Sequence, residues 1–266
     1  MIDRGHGDPI VIIPGIQGRW EWMKPAIDAL ARRTRVITFS LADEPSAQAH
    51  FDERAGFRSY VDQVRDALDE SRVDRATICG VSYGGLIAAA FAATYPSRVS
   101  SLVLVSAIPP SWKPDERVSF FLRAPWLLSP LFCAGSVRLY PEIAAANDTW
   151  WRGAIGACSS GIRALTHMFH PGRMARRVEM LTSARIAETV ARVTVPVLVV
   201  TGEESLERVV PPRLTREYLS IWPHAQSATL ARTGHLGLVT RPEDFATLIT
   251  SPWQTSSEKS QARQAR

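Results

Sequence analysis

A serine lies at the centre of the glycine-rich turn Gly80-Val81-Ser82-Tyr83-Gly84. The turn follows a short apolar run and precedes an alanine-rich segment, a context typical of a serine raised on a tight strand-to-helix turn. Glycines two residues to either side avoid collisions in such strained backbone. The N-terminal end of the helix would face the serine with free N–H groups and a positive dipole, where negative charge would develop. The pattern indicates a nucleophilic serine, and the alternative is an ordinary Gly/Ser turn in an α/β protein.

Short apolar runs alternate with amphipathic segments on both sides of this turn. Residues 10–14 form a continuous apolar run, as expected for a strand covered on both faces, and residues 22–33 repeat apolar side chains at helical spacing. The alternation predicts an α/β fold with a mostly parallel sheet and helices on both faces. Ligands bind outside the carboxyl ends of the strands in such sheets. Residues 15–18, Ser82 and Ser106 are all expected at those ends.

The alternation of strands and helices stops at residue 108 and resumes after residue 188. The interval is rich in prolines and aromatic side chains and has no strand pattern. We therefore expect a helical cap of residues 108–188 on an α/β core of residues 1–107 and 189–252. Residues 253–266 are polar and are predicted to be a disordered tail. Only nine residues precede the first apolar run, so we expect that edge of the sheet either to be short or to pair with another chain.

The composition excludes several classes of protein. The 266 residues are 45% hydrophobic and 21% charged, which is ordinary for a globular protein. No apolar run reaches the ~18 residues that span a bilayer, no secretory leader is evident, and the three cysteines lack metal-ligand spacing, so we expect a cytoplasmic protein without a membrane span. Cys79 is predicted to be buried as a small apolar side chain.

The formal net charge of +5 comes from scattered arginines rather than from a basic stripe. The densest cluster is Arg173, Arg176 and Arg177, in a predicted helix. No nucleic-acid fold signature accompanies it, so we interpret the cluster as a solvated face and expect no nucleic-acid partner.

Three motifs together resemble the α/β-hydrolases that carry a cap: GVSYGG around Ser82, PGIQG at residues 14–18 and TGH at residues 233–235. The resemblance covers roughly residues 8–250 and implies a catalytic triad in the chain order nucleophile, acid, histidine. It assigns Ser82 as the nucleophile at the elbow and His235 as the base, which a serine hydroxyl needs at neutral pH. The remaining histidines are interpreted as surface or pocket-lining side chains, although the i, i+3 pair among them could suggest a metal site; they are His6, His50, His167, His170 and His224.

The acid of the triad departs from the family pattern. The family places it in the loop after a late strand, commonly as G-E-x-D, but Ser205 stands at the aspartate position and cannot serve as an acid. Counted back from the Val-Val-Pro step, the acid position falls on Glu207, 28 residues before His235. We favour Glu207 over Glu203 and Glu204, and the alternative is that all three are solvated loop charges. A glutamate is adequate, because the acid orients the imidazole and stabilises its protonated form.

The resemblance also implies an oxyanion hole built from two backbone N–H groups. One belongs to Tyr83, directly after the nucleophile. The family often has His-Gly in the turn after the first strand, where this chain has Pro14-Gly15. Ile16 matches the second donor, and Gln17 is the alternative. Proline at position 14 leaves both N–H groups intact, so we expect the hole to be retained.

A serine at the elbow argues against the haloalkane dehalogenases and epoxide hydrolases of this fold, which use aspartate there. It implies a serine esterase that cleaves a small-to-medium hydrophobic ester, thioester or lactone through an acyl-enzyme, and it also permits perhydrolase activity. Two alternatives remain: a carbon–carbon bond hydrolase of the same fold, and a ligand-binding protein with little turnover. The expected partner is a small hydrophobic acyl substrate, no metal or organic cofactor is implied, and a homodimer is possible.

Several side chains of the cap and of the oxyanion turn are candidates for the substrate pocket, because water-excluded pockets are lined mainly by apolar groups. The alternative for the cap tryptophans is that they only pack the interior of the cap. The candidates are Gln17, Trp20, Trp112, Trp126, Trp150 and Trp151.

Overall fold

A seven-stranded sheet forms the centre of the computed structural model, which describes residues 1–128, 130, 136–146, 170–183, 186–251 and 253. The strand order is β1-β3-β2-β4-β5-β6-β7. Strands β2 to β7 pair in parallel, and β1 is antiparallel. The strands are β1 (Ile2–Arg4), β2 (Pro9–Ile13), β3 (Arg35–Thr38), β4 (Ala76–Val81), β5 (Val99–Val105), β6 (Val197–Thr201) and β7 (Gln226–Thr229).

Helices connect the strands and cover both faces of the sheet. The described α-helices are α1 (Lys24–Ala31), α2 (Phe57–Glu70), α3 (Tyr83–Thr94), α4 (Glu116–Arg123), α5 (Tyr140–Ala145), α6 (Pro171–Ser183), α7 (Ile186–Val190), α8 (Pro212–Thr215), α9 (Glu217–Ile221), α10 (Gly237–Thr240) and α11 (Pro242–Thr250). Short 3₁₀ turns occur at Trp20–Met23, Pro96–Arg98 and Ser136–Leu139. None of these described helices is long and apolar enough to cross a membrane.

Successive side chains of the buried strands face two separate apolar cores. On one face Val11 and Ile13 of β2 pack with residues of α2 and α3. On the other face Ile12 of β2 packs with residues of α1 and α11, and Cys79 of β4 is fully buried there, as predicted. This alternation explains the continuous apolar runs in the sequence, because both faces of each strand are covered. The predicted α/β architecture is confirmed.

The first residues of the chain add an antiparallel strand to the edge of the sheet. In β1, Ile2 pairs with Thr38 and Arg4 pairs with Val36 of β3. Strand β1 therefore covers β3 and is itself the outermost strand on this side, and pairing of this edge with another chain stays a prediction. Three residues of mixed polarity are too few for a strand pattern to be recognised in the sequence.

Every described element of regular secondary structure in the predicted cap is helical, from α4 to α7, and residues 108–115 before α4 form neither helix nor strand. Residues 129, 131–135, 147–169 and 184–185 lie outside the described residues. The division into core and cap stays a prediction. Trp253, the first residue of the predicted tail, packs against the core and donates from Nε1 to the carbonyl of Ile249, and residues 254–266 lie outside the described residues.

The arginine cluster of α6 is not a uniformly solvated face. The side chain of Arg176 is 46% exposed, whereas that of Arg177 is 0% exposed and contacts Asp43 and Glu44. The interpretation of a solvated face was therefore wrong for Arg177. Two carboxylates at hydrogen-bond distance offset the cost of burying its charge.

Candidate active site

Ser82 occupies a left-handed turn between β4 and α3. Its φ and ψ are 53° and −116°, a conformation that non-glycine residues rarely adopt. Its N–H donates to the carbonyl of Val105 at 2.8 Å, which fixes the turn beside the end of β5. Because α3 begins at Tyr83, Ser82 lies at the positive end of that helix. Strained backbone of this kind is concentrated at functional sites.

The turn after β2 packs directly against the Ser82 turn. A Cβ atom on Gly84 would lie 2.5 Å from the carbonyl oxygens of both Ile13 and Pro14, so only glycine permits this approach. A Cβ atom on Gly15 would lie 3.5 Å from Cβ of Ser82, an ordinary contact. The sequence motifs at the ends of β2 and β4 therefore meet in space.

The β2 turn has a defined geometry. The N–H of Gly18 donates to the carbonyl of Gly15 at 2.9 Å, which closes a β-turn with Ile16 and Gln17 at its centre. The two residues predicted as oxyanion donors, Ile16 and Tyr83, thus belong to the two turns that meet between Gly15 and Ser82. Their role as donors stays a prediction.

His235 lies on the loop between β7 and α10 and faces Glu207. Its Nδ1 is 3.3 Å from Oε2 of Glu207, and the two side chains are 13% and 1% exposed. Gly234 makes this packing possible, because a Cβ atom there would lie 2.5 Å from the carbonyl oxygen of Leu206. The loops that carry the predicted base and the predicted acid are therefore packed backbone against backbone.

Only one of the three candidate glutamates contacts His235 within the described residues. Oε1 of Glu207 accepts hydrogen bonds from the N–H groups of Val209 and Val210 at 2.7 and 3.0 Å, which leaves Oε2 facing the imidazole. Glu203 accepts instead from the N–H of Arg232. Glu204 is exposed.

The surroundings of Glu207 favour its charged form. Burial opposes ionisation, but the hydrogen bond and the charge of His235, together with the two backbone N–H donors, outweigh it, so the pKa of Glu207 is lowered below its ordinary value. A charged carboxylate facing Nδ1 holds the Nδ1–H tautomer of His235. Nε2 is then the nitrogen available as a base.

Ser82 and the His235 loop leave the sheet at the same edge. Ser82 directly follows the carboxyl end of β4. The His235 loop begins at Leu230, directly after β7. The N–H of Leu230 donates to the carbonyl of Thr201, the last residue of β6, at 2.8 Å. In a parallel sheet the carboxyl ends of the strands share one edge. The structure therefore brings the three triad candidates to one side of the molecule.

Glu142 is a further acidic residue beside His235 that sequence reasoning missed. It lies on α5, is fully buried, and its Oε1 accepts the N–H of Leu236 at 2.7 Å. Burial raises the pKa of Glu142 to about 7; the N–H groups of Gly234 and Leu236 and the charge of His235 lower it, and Glu207 raises it. No sequence signal marks this residue, because its partner is a backbone N–H 94 residues away.

The predicted pocket residues lie in different surroundings. Gln17 is at the centre of the β2 turn, and Trp20 packs with the core that contains α1. Trp112 packs partly buried against the opposite core. Trp126 is 58% exposed, with its ring edge-on to His170 at 4.6 Å between centroids. Trp150 and Trp151, like His167, lie outside the described residues, and the composition of the pocket stays a prediction.

Named relatives match the sequence, among them proteins of Yersinia enterocolitica and Pseudomonas putida. RutD of Yersinia enterocolitica, named as a carbamate hydrolase, is 23% identical over 242 residues, which cover 91% of this chain and 86% of that protein. The 2-hydroxy-6-oxo-2,4-heptadienoate hydrolase of Pseudomonas putida is 32% identical over 110 residues, 40% of each chain.

A solved structure and a family model identify the fold. The crystal structure of BpoC from Mycobacterium tuberculosis H37Rv, named as a non-heme bromoperoxidase, matches with a TM-score of 0.75 at 22% identity and covers 96% of this chain and 95% of that chain. A family model for the alpha/beta hydrolase fold matches residues 8–127. The chain has the α/β-hydrolase fold.

Proposed function

We propose that this protein is a serine hydrolase that cleaves a small-to-medium hydrophobic ester through an acyl-enzyme. The single observation that carries the proposal is the contact of His235 Nδ1 with the buried carboxylate of Glu207. A histidine held by a buried acid, on the sheet edge that also carries a serine with a φ of 53°, is the constellation that acyl transfer needs.

In the first half-reaction, Oγ of Ser82 attacks the ester carbonyl and its proton passes to Nε2 of His235. Glu207 stays ionised and stabilises the imidazolium. The carbonyl oxygen becomes an oxyanion that accepts hydrogen bonds from the N–H groups of Ile16 and Tyr83. Each such donor contributes roughly 3–4 kcal/mol to the transition state. Collapse of the intermediate transfers the Nε2 proton to the departing alcohol and leaves an acylated Ser82.

In the second half-reaction, His235 takes a proton from water, which attacks the acyl carbon. The same oxyanion donors act again, and collapse returns the proton from Nε2 to Oγ of Ser82 as the carboxylic acid leaves. The cap, with Trp112 as a candidate wall, and Gln17 on the β2 turn would select the acyl group.

The test is hydrolysis of p-nitrophenyl esters of graded chain length by wild type, Ser82→Ala and Ser106→Ala. Ser106 is a matched control, because it also follows a strand of this edge, is buried and has a positive φ of 43°. We expect Ser82→Ala to abolish turnover and rapid labelling by a fluorophosphonate, and Ser106→Ala to keep both. Undiminished activity in Ser82→Ala would refute the proposal.

Carbon–carbon bond hydrolysis is the second candidate, favoured by the 32% identity with the Pseudomonas putida hydrolase over 110 residues. That reaction would use the same triad on a vinylogous diketone. A panel of such diketones, assayed beside the ester series, separates the two: a much higher kcat/KM for a diketone favours this candidate. A third candidate, a ligand-binding protein with little turnover, predicts slow Ser82 labelling and no multiple turnover on either panel.

A further inference from the structure

Arg177 of α6 donates to the backbone of the β2 turn from inside the protein. Its Nη1 lies 2.7 Å from the carbonyl oxygen of Ile16, the residue proposed as an oxyanion donor. Its Nη2 lies 2.6 Å from Oδ1 of Asp43 and 2.6 Å from Oε1 of Glu44. One guanidinium therefore joins the turn to the two carboxylates.

The surrounding residues are adapted to this arginine. The side chains of Arg177, Asp43 and Glu44 are 0%, 5% and 3% exposed. Gly18, at the end of the turn, has a φ of +76°, and a Cβ atom there would lie 2.3 Å from Nη2 of Arg177. The turn thus leaves room for the guanidinium where any other residue would block it.

Aromatic packing connects the surroundings of Arg177, Asp43 and Glu44 to Tyr83, the other proposed oxyanion donor. The rings of Tyr60 and Tyr83 pack edge-on at 6.2 Å, and both are almost fully buried. Burial and the charge of Asp43 raise the pKa of the Tyr60 phenol, and the charge of Arg177 opposes the rise. Ile16 therefore contacts Arg177 directly, and Tyr83 packs against Tyr60, whose phenol responds to the charges of the same ion pair.

We infer that Arg177 is a positioning residue that holds the oxyanion turn in its active conformation. The inference rests on the proposed function. The carbonyl of Ile16 belongs to the central peptide of the β-turn, which is the peptide that reverses when a turn changes type. Because the peptide is planar and trans, fixing that carbonyl also fixes the N–H of Gln17 on the opposite side. Arg177 thus keeps the turn in one conformation against Ser82 and fixes the direction of the N–H of Gln17, the alternative oxyanion donor.

Because Arg177 lies on α6, within the segment predicted as a cap, the seating of that helix and the assembly of the oxyanion hole are linked. Displacement of α6 would withdraw the guanidinium from the Ile16 carbonyl. Small displacements of groups that position a reacting centre are costly, on the order of 100-fold in rate for about 1 Å.

The test compares Arg177→Lys with Arg173→Ala. Lysine retains the positive charge that the two carboxylates require, but its single ammonium cannot reproduce the guanidinium fork. Arg173 is a matched control on the same helix, since it lies 3.6 Å from Oε2 of the same Glu44 and is 26% exposed. Each variant is assayed for kcat and KM on a p-nitrophenyl ester and for inhibition by phenylboronic acid, whose serine adduct is a tetrahedral anion.

We expect Arg177→Lys to lose about 10- to 100-fold in kcat with little change in KM, and to bind phenylboronic acid more weakly by the same factor. A merely structural role would lower the folded fraction, measured by circular dichroism, and would not weaken transition-state mimics selectively. Equal kcat and equal boronic-acid affinity in Arg177→Lys and Arg173→Ala would overturn the inference, as would a loss confined to KM.

A second variant keeps the inference testable if Arg177→Lys does not fold. Arg177→Met combined with Asp43→Asn and Glu44→Gln removes the three charges together, so no unpaired charge stays buried. The same selective losses are expected, and their absence contradicts the inference. If wild type neither hydrolyses esters nor reacts with a fluorophosphonate, the proposed function itself fails. If wild type does both and only the Arg177 effect is missing, the failure belongs to this inference alone.

Discussion

Glu142 accepts a hydrogen bond from the backbone N–H of Leu236, the residue after His235, at 2.7 Å. A second bond joins the same two elements, because Nε of Arg232 donates to the carbonyl of Ala145 at 2.9 Å. Helix α5 is therefore attached at two points to the loop that presents the proposed base. One of these attachments is a buried carboxyl whose ionisation is opposed by its surroundings.

This carboxyl is expected to make stability depend on pH. Burial raises the pKa of Glu142 from 4.5 to about 7 in the folded protein. An acid with a raised folded pKa holds its proton more tightly when folded, so the folded state loses stability as pH rises from about 4.5 to about 7, and the loss is constant above that. The difference corresponds to roughly 3 kcal/mol.

Glu142→Gln removes the ionisation and keeps an oxygen that can accept the Leu236 N–H. We expect the variant to match wild type near pH 4.5 and to be more stable by roughly 3 kcal/mol at pH 8, measured by urea unfolding across this range. Glu188→Gln is the control, because Glu188 is exposed on α7. Parallel stability curves for wild type and Glu142→Gln would contradict the expectation.

Gly84→Ala tests the contact between the two turns of the site. The added Cβ would lie 2.5 Å from the carbonyl oxygens of Ile13 and Pro14, so the β2 turn must move away from Ser82. We expect a loss of about 1–3 kcal/mol in stability and of about 10- to 100-fold in kcat on a p-nitrophenyl ester.

Gly172→Ala on α6 is the matched control for Gly84→Ala. The nearest atoms to its added Cβ are side-chain atoms of Trp126 and His170, at 3.3 and 3.4 Å, which can give way. The role given to Gly84 is wrong if the two variants have the same kcat.

Cys79 is expected to be chemically inert in the folded protein. It is fully buried, and burial raises the pKa of its thiol to about 12, so the reactive thiolate is scarce at neutral pH. In a variant with Cys133→Ser and Cys158→Ser, a disulfide thiol reagent should react only after unfolding in urea. Rapid reaction of the folded variant would place Cys79 outside the core.

Much of the fold could be predicted because its strands are covered on both faces. Complete burial requires continuous apolar runs, and such runs are visible in the sequence at β2, β4, β5 and β6. Strand β1 could not be predicted, since Ile2–Arg4 is short, lies at the edge and is mostly polar. Its position depends on hydrogen bonds to β3 rather than on its own side chains.

The candidate site likewise contains residues that a sequence motif marks and residues that no motif marks. Ser82 and the β2 turn carry local glycine patterns, because their backbones must approach each other closely. Glu142 and Arg177 act through backbone groups distant in the chain, and such contacts leave no local motif. A partial signal exists for Arg177, which shares a helical face with the apolar residues Met174, Val178 and Leu181. An arginine on such a face favours a buried ion pair over a solvated surface.

Glu207→Gln is the most direct test of the acid. Gln can still face Nδ1, but it carries no charge to stabilise the imidazolium, and its amide can hold the wrong tautomer, so we expect kcat to fall by about 10³- to 10⁴-fold with little change in KM. Glu203→Gln is the control: its Oε1 accepts the N–H of Arg232, which an amide oxygen can also do, so its kcat should stay close to that of wild type. Both are measured on the same p-nitrophenyl ester at pH 7. A larger loss of kcat in Glu203→Gln than in Glu207→Gln would identify Glu203 as the acid, because the acid is the residue whose charge stabilises protonated His235.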